Sequence, residues 1–156
     1  MSLTLHPGGA PELGEVLEFL RTLWELDHAL QTASKTMARR RGVTGPQRVV
    51  LRIVGRFPQI SPGQLADILH LHPSTLTGVL KRLESRGLIR RRVDPADRRR
   101  SFLGLTPEGR EIDVNASDTV EAVVSKVLAT LPPGQPRATQ RTLRALSEAL
   151  TCELGA

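Results

Sequence analysis

The stretch SPGQLADILHLHPSTLTGVLKRLESRGLIRRRVDPADRRRSFLGL, residues 61–105, decides the fold. It opens with Ser61-Pro62-Gly63-Gln64, a hydroxyl and a glutamine three residues apart with proline in the first turn, which is capping chemistry for a helix start. Leu65, Ile68 and Leu69 supply one apolar stripe, and that short helix must break near His70 to His72. Pro73 suits the first turn of a second helix, whose Leu76, Val79, Leu80 and Leu83 fall at i, i+3, i+4 and i+7, and Gly87 closes it. Leu88 to Val93 and Ser101 to Leu105 read as strands around the charged turn Asp94 to Arg100. Two short helices joined by a tight turn, then a basic hairpin, form a winged helix-turn-helix by order and length.

Upstream, Thr44-Gly45-Pro46-Gln47 repeats the capping pattern and leads into Val49, Val50, Ile53, Val54 and Phe57, predicting a short buried helix that Pro58 stops. Before it, Leu13, Val16, Leu17, Leu20, Leu23, Trp24, Leu30 and Met37 recur at helical spacing from Pro11. Acids lie early and Arg39 to Arg41 late, complementing the helix dipole up to Gly42. Residues 1–10 read as a frayed leader. Downstream, Thr106-Pro107 caps a helix expected to run through Ile112, Val120, Val123, Val124, Val127 and Leu128 until Leu131-Pro132-Pro133-Gly134 breaks it. A last helix from about Pro136 carries Leu143, Leu146, Leu150 and Leu154 as a narrow stripe. The fold class is mainly α with a small β-wing.

With 156 residues, one domain over 1–156 is expected, with the winged helix-turn-helix lobe at 44–105 and flanking helices at 11–41 and 107–154. Those flanking helices carry apolar stripes too long for a winged-helix core alone to cover, which predicts a homodimer. The chain holds 22 Lys and Arg against 16 Asp and Glu, a net +6, but only three Phe, one Trp and no Tyr. A basic surface points to a polyanion, while so few aromatics argue against platforms that stack unpaired bases. The whole excess lies in Lys81 to Arg100, which holds nine basic and three acidic residues; the flanks, at +2 and −2, cancel. A second basic stretch, Lys35 to Arg56, has seven positive residues and no acid.

On the second helix of the motif, burying Leu76, Val79, Leu80 and Leu83 leaves Ser74, Thr75, Thr77, Gly78, Lys81 and Arg82 on the outer face. Small hydroxyl residues near a helix N-terminus approach base edges or phosphates, and Lys81 and Arg82 reach farther. Arg98, Arg99 and Arg100 at the hairpin tip suit a narrow minor groove, whose concentrated negative potential rewards an inserted guanidinium. Asp97 is expected to hold a nearby arginine side chain in one orientation.

Leu83-Glu84-Ser85-Arg86-Gly87-Leu88-Ile89 and Asp94-Pro95-Ala96-Asp97-Arg98-Arg99, followed by Leu105-Thr106-Pro107-Glu108-Gly109, resemble the MarR family of transcriptional regulators over nearly the whole chain. The resemblance implies a reader helix in the major groove, an arginine from a wing Asp-x-Arg in the minor groove, and terminal helices that build a homodimer. Asp97 and Arg99 match that Asp-x-Arg pair; Arg100 departs from it, standing where a small or neutral residue is usual. The implied partner is double-stranded DNA with a pseudo-palindromic site, and the implied activity is repression relieved by a small-molecule effector. For an aromatic or anionic effector, the sequence adds Trp24 and His28, one turn apart on the first helix.

No Walker loop, His-Glu-x-x-His or Gly-x-Ser-x-Gly occurs, and Glu108 and Glu111 sit where dipole compensation explains them, so no catalytic residue, cofactor or enzyme activity is expected. His70 and His72 lack further ligands nearby and read as turn residues rather than a metal site. Cys152 is the single cysteine, excluding an internal disulfide and pointing to a reducing compartment. With Glu153 beside it and no adjacent cation, it reads as an idle or packed thiol. No apolar run reads as a leader or a membrane span, so a cytoplasmic location is expected. The alternative function is a winged-helix interaction module whose basic face meets an acidic partner.

Overall fold

The computed structural model describes residues 13–155. The leader over 1–10 and the expected helix start at Pro11 lie outside the described residues. The chain groups into two compact units that divide after Val114.

The first unit begins with α1 (Glu15–Arg41), which Gly42 terminates in the left-handed region at φ 73° with its N–H on the Ala38 carbonyl. Only Met37 of α1 is buried. On its surface Arg21 pairs with Glu18 at 2.5 Å and Glu25 at 3.0 Å, and the Glu18 hydrogen bond, with both carboxylate charges, raises the guanidinium's pKa. Next comes α2 (Gly45–Arg56), started by a complete capping box: the Thr44 hydroxyl accepts from the Gln47 N–H while the Thr44 N–H donates to Gln47 Oε1 at 3.0 Å. Helical period sets Gln47, Val50, Leu51 and Val54 on the buried face. That corrects the expected stripe, because Val49 faces away and Phe57 lies past the last turn, so both stay about half exposed at 44% and 46%. Leu51 takes their place in the core.

Ser61 and Gln64 form the same box at the start of α3 (Pro62–Leu69), which ends on His70 in the left-handed region at φ 50°. His72 caps α4 (Pro73–Ser85) by accepting the Ser74 N–H at its Nδ1, so both histidines serve the turn. After Gly87, at φ 68°, β1 (Ile89–Val93) pairs antiparallel with β2 (Ser101–Leu105) in the register Ile89 to Leu105 and Val93 to Ser101. Ile60 bridges the other edge of β2 at Leu103, its carbonyl accepting the Leu103 N–H at 2.8 Å. Leu51, Val54, Leu65, Leu76, Leu80, Leu83, Ile89 and Leu103 form the centre of the core, so α2, α3, α4 and the hairpin share one interior.

Thr106 caps α5 (Pro107–Ile112), where Gly109 lies so close to the Leu88 carbonyl that no side chain fits. The helix then stops, although the apolar spacing predicts its continuation to Leu131. Arg48, 1% exposed, donates to the carbonyls of Ile112 and Val114, the latter at 2.8 Å, and Arg52 donates to the carbonyl and carboxylate of Asp113. These guanidiniums take carbonyls that a continuing helix needs for its own N–H groups. Gly55 completes the contact, because a Cβ there would overlap the Asp113 carboxylate.

In the second unit Thr119 caps α6 (Val120–Leu128) by accepting the Ala122 N–H at 3.3 Å, and α7 (Gln135–Leu154) follows the turn at Gly134. No α6 or α7 residue is buried; Val123, Val124, Val127, Leu143, Leu150 and Leu154 are exposed apolar side chains. Among the described residues no helix is long and apolar enough to cross a membrane.

Candidate nucleic-acid interface

The outer face of α4 is built by what its inner face buries. Leu76, Leu80 and Leu83 are in the core and Val79 packs against it, which leaves Ser74, Thr75, Thr77, Gly78, Lys81 and Arg82 exposed. Two hydroxyls in this row are engaged locally: Ser74 Oγ lies 2.7 Å from His72 Nδ1, and Thr77 Oγ1 donates to the Pro73 carbonyl at 2.8 Å. Lys81 and Arg82 have no acid partner among the described residues. Gly78 lies within the helix, where glycine costs about 1 kcal/mol relative to alanine. Nothing lies within 4 Å of where its Cβ would stand, so the protein's own packing does not require the missing side chain. A bare patch there admits close approach from outside.

The wing tip is an ordered turn. Asp94 N–H donates to the Arg100 carbonyl and Arg100 N–H to the Asp97 carbonyl, both at 2.9 Å. Asp94 Oδ1 accepts from Ala96 N–H at 2.9 Å and Asp97 Oδ1 from Arg99 N–H at 3.0 Å. The expectation that Asp97 orients a guanidinium is therefore corrected: its carboxylate holds the backbone of the turn, because a side chain this short reaches the N–H two residues on more readily than a distant guanidinium. Arg98, Arg99 and Arg100 are exposed with no acid partner among the described residues. Arg99 and Arg100 also border a cleft of about 570 Å³ with Ser61, Gly63 and Gln64 at the start of α3. Farther down the hairpin, Arg91 is tied to Glu84 at 2.9 Å, and Arg86 donates to the Gly42 carbonyl. Those two arginines are structural, a division that the charge run alone does not reveal.

Trp24 and His28 are exposed on α1, Trp24 at 69%, and neither borders the cavity of about 690 Å³ at the root of the wing. Cys152 is a free, exposed thiol. Among the described residues no group of three His, Cys, Asp or Glu side chains is placed to hold a metal.

A MarR family model matches residues 43–101, from the first core residue after α1 to the first residue of β2. Transcriptional regulator HosA of Escherichia coli O111:H- is 38% identical over 89 residues, 57% of this chain and 66% of HosA, so this chain spans just under two thirds of that relative. HTH-type transcriptional repressor Rv2887 of Mycobacterium tuberculosis (strain ATCC 25618 / H37Rv) is 32% identical over 105 residues, 67% of this chain and 76% of that one. The crystal structure of Sco3205, a MarR family transcriptional regulator from Streptomyces coelicolor in complex with DNA, aligns with a TM-score of 0.70 at 27% identity, covering 86% of this chain and 90% of that one. Sequence likeness across three quarters of a repressor, a matching family model and a shared backbone fold agree on one conclusion: the chain belongs to the MarR family.

Proposed function

We propose that this protein is a homodimeric, sequence-specific duplex-DNA-binding regulator of transcription, acting in the cytoplasm as a repressor that a small molecule relieves. The wing tip carries the reading: its two aspartates are engaged by the turn's own backbone, so three adjacent guanidiniums project without an acid partner among the described residues. A narrow minor groove is the surface such a tip fits. Ser74, Thr75, Thr77, Gly78, Lys81 and Arg82 face the major groove, with Arg98, Arg99 and Arg100 on the wing and Asp97 shaping the turn.

The lobe at 44–105 makes the DNA contacts, and the helices within 11–41 and 107–154 join two copies. Exposed Val16, Leu17, Trp24 and Leu30 on α1, with Val123, Val127 and Leu150 on α6 and α7, support that assignment, since stripes this apolar are covered in solution. Two reader helices related by a two-fold axis address half-sites about one helical turn, roughly 34–36 Å, apart. Trp24 and His28 form the candidate effector wall. A ligand there releases DNA only through a difference in affinity for the two forms, and a tenfold effect needs about 1.4 kcal/mol.

Selection of bound sequences from a random duplex pool tests this reading. The expected result is a two-fold symmetric motif. Equal retention of all duplexes and of heparin would overturn it in favour of a basic face for an acidic partner.

A further inference from the structure

Glycine inside a helix costs stability, and on α4 no contact within the protein offsets that cost. Gly55 and Gly109 also lie within helices, and packing requires both: a Cβ would overlap the Asp113 carboxylate at the first and the Leu88 carbonyl at the second. Gly42 and Gly87 stop helices at positive φ. Gly78 has neither reason. Its φ is not positive, it is exposed, and no atom stands within 4 Å of where a Cβ would be.

The helical period sets this glycine in the middle of the outward face. Leu76, Leu80 and Leu83 are buried on the opposite side, while Ser74 stands one turn before Gly78 and Lys81 and Arg82 about one turn after it. The result is a notch with a small hydroxyl residue at one end and two long cations at the other. Its floor is helix backbone, whose N–H and C=O groups are spent on the helix's own hydrogen bonds, so that it presents Cα hydrogens and no free donor. A polar base edge pressed against such a floor loses its water and gains no partner. A phosphate oxygen finds its partners on Lys81 and Arg82 and needs no notch. Of the groups that a base pair shows in the major groove, the 5-methyl of thymine alone has no hydrogen bond to lose.

We propose that the notch at Gly78 seats the 5-methyl group of one thymine in each half-site, so that a residue without a side chain determines specificity. This assignment rests on the regulatory reading above, with α4 in the major groove, and goes beyond it by naming the base and the atom. The test uses the full chain and the operator recovered from the duplex selection. Each thymine of one half-site is replaced in turn by deoxyuridine, which removes the methyl and nothing else. Fluorescence anisotropy should find one thymine whose replacement weakens wild-type binding by about fourfold, the value of one buried methyl. In Gly78→Ala the added Cβ occupies the notch. The variant should bind the thymine operator more weakly by about tenfold or more, and deoxyuridine at that position should restore part of the loss instead of adding to it. Its slope of log K against log salt should match wild type, since no phosphate contact is lost. It should also melt higher by about 2–8 °C, because alanine suits an exposed helix interior better. Deoxyuridine replacements that are all silent in wild type, a scan that needs no variant, would overturn the assignment. So would equal weakening of the thymine and deoxyuridine operators by Gly78→Ala, a shallower salt slope, or a melting temperature that does not rise. A selection that retains all duplexes equally would remove the regulatory reading and the notch with it; a symmetric motif with silent replacements would remove the notch alone.

Discussion

Replacing Asp97 once by alanine and once by asparagine separates two roles that a single substitution confounds. The Oδ1 of Asp97 accepts the Arg99 N–H at 3.0 Å, inside the turn that presents the wing arginines. Asparagine keeps that acceptor and removes the charge; alanine removes both. An intramolecular hydrogen bond contributes about 0.5–1.5 kcal/mol net, so its loss should lower the fraction of tips in the binding geometry, and with it the apparent affinity, by roughly 2–12-fold. Removing the charge acts the other way: two like charges ~8 Å apart in water repel by about 0.5 kcal/mol before screening, less than threefold. Asp97→Asn should therefore bind as wild type or slightly tighter, and Asp97→Ala about fivefold weaker than Asp97→Asn. Fluorescence anisotropy on the selected operator across a salt series measures both. The alanine-to-asparagine ratio should not vary with salt, because the two variants carry the same charge. Equal affinity of the two variants, or a ratio that collapses as salt rises, would refute the role of Asp97 as a backbone brace.

Arg99→Ala should flatten the slope of log K against log salt by about one unit without lowering the melting temperature; an unchanged slope would remove Arg99 from the footprint. Gly55→Ala brings a Cβ into overlap with the Asp113 carboxylate and to 3.0 Å from Leu105 Cδ1, so thermal melts should show a loss of about 1–3 kcal/mol. A melt identical to wild type would show that α2 and α5 are not held this tightly. Sedimentation at micromolar concentration should give a dimer, and a well-behaved monomer would remove both the dimer and the symmetric operator.

Local chemistry made most of the winged unit legible. Thr44 with Gln47 and Ser61 with Gln64 announce helix starts within four residues of sequence, and the structure closes both boxes. Gly42 and Gly87 mark stops because positive φ suits glycine. The break between Ile112 and Val120 was hidden, since their eight-residue spacing fits a helix and no proline or glycine intervenes. Its cause lies 61 to 66 residues upstream in Arg48 and Arg52, which the charge run presented as surface. The nearer signal was Asn115, Ser117, Asp118 and Thr119, four cap-forming residue types in five positions. For the candidate interface, periodicity selected the exposed row of α4. It did not separate Arg91, tied to Glu84, from Arg90 and Arg92, because partner choice depends on which strand face meets α4.

On the proposed reading, in which the outer face of α4 enters the major groove, the bond from Thr77 Oγ1 to the Pro73 carbonyl would restrict the letters an operator can present to this side chain. With its proton committed inside the helix, the hydroxyl meets a base edge as an acceptor beside a methyl group. In the major groove adenine and cytosine offer amino donors and thymine offers a methyl, whereas guanine shows only acceptors. Guanine should thus be the base depleted opposite Thr77 in the selected motif. Accommodating it would mean turning the hydroxyl away from Pro73, at a cost of about 0.5–1.5 kcal/mol.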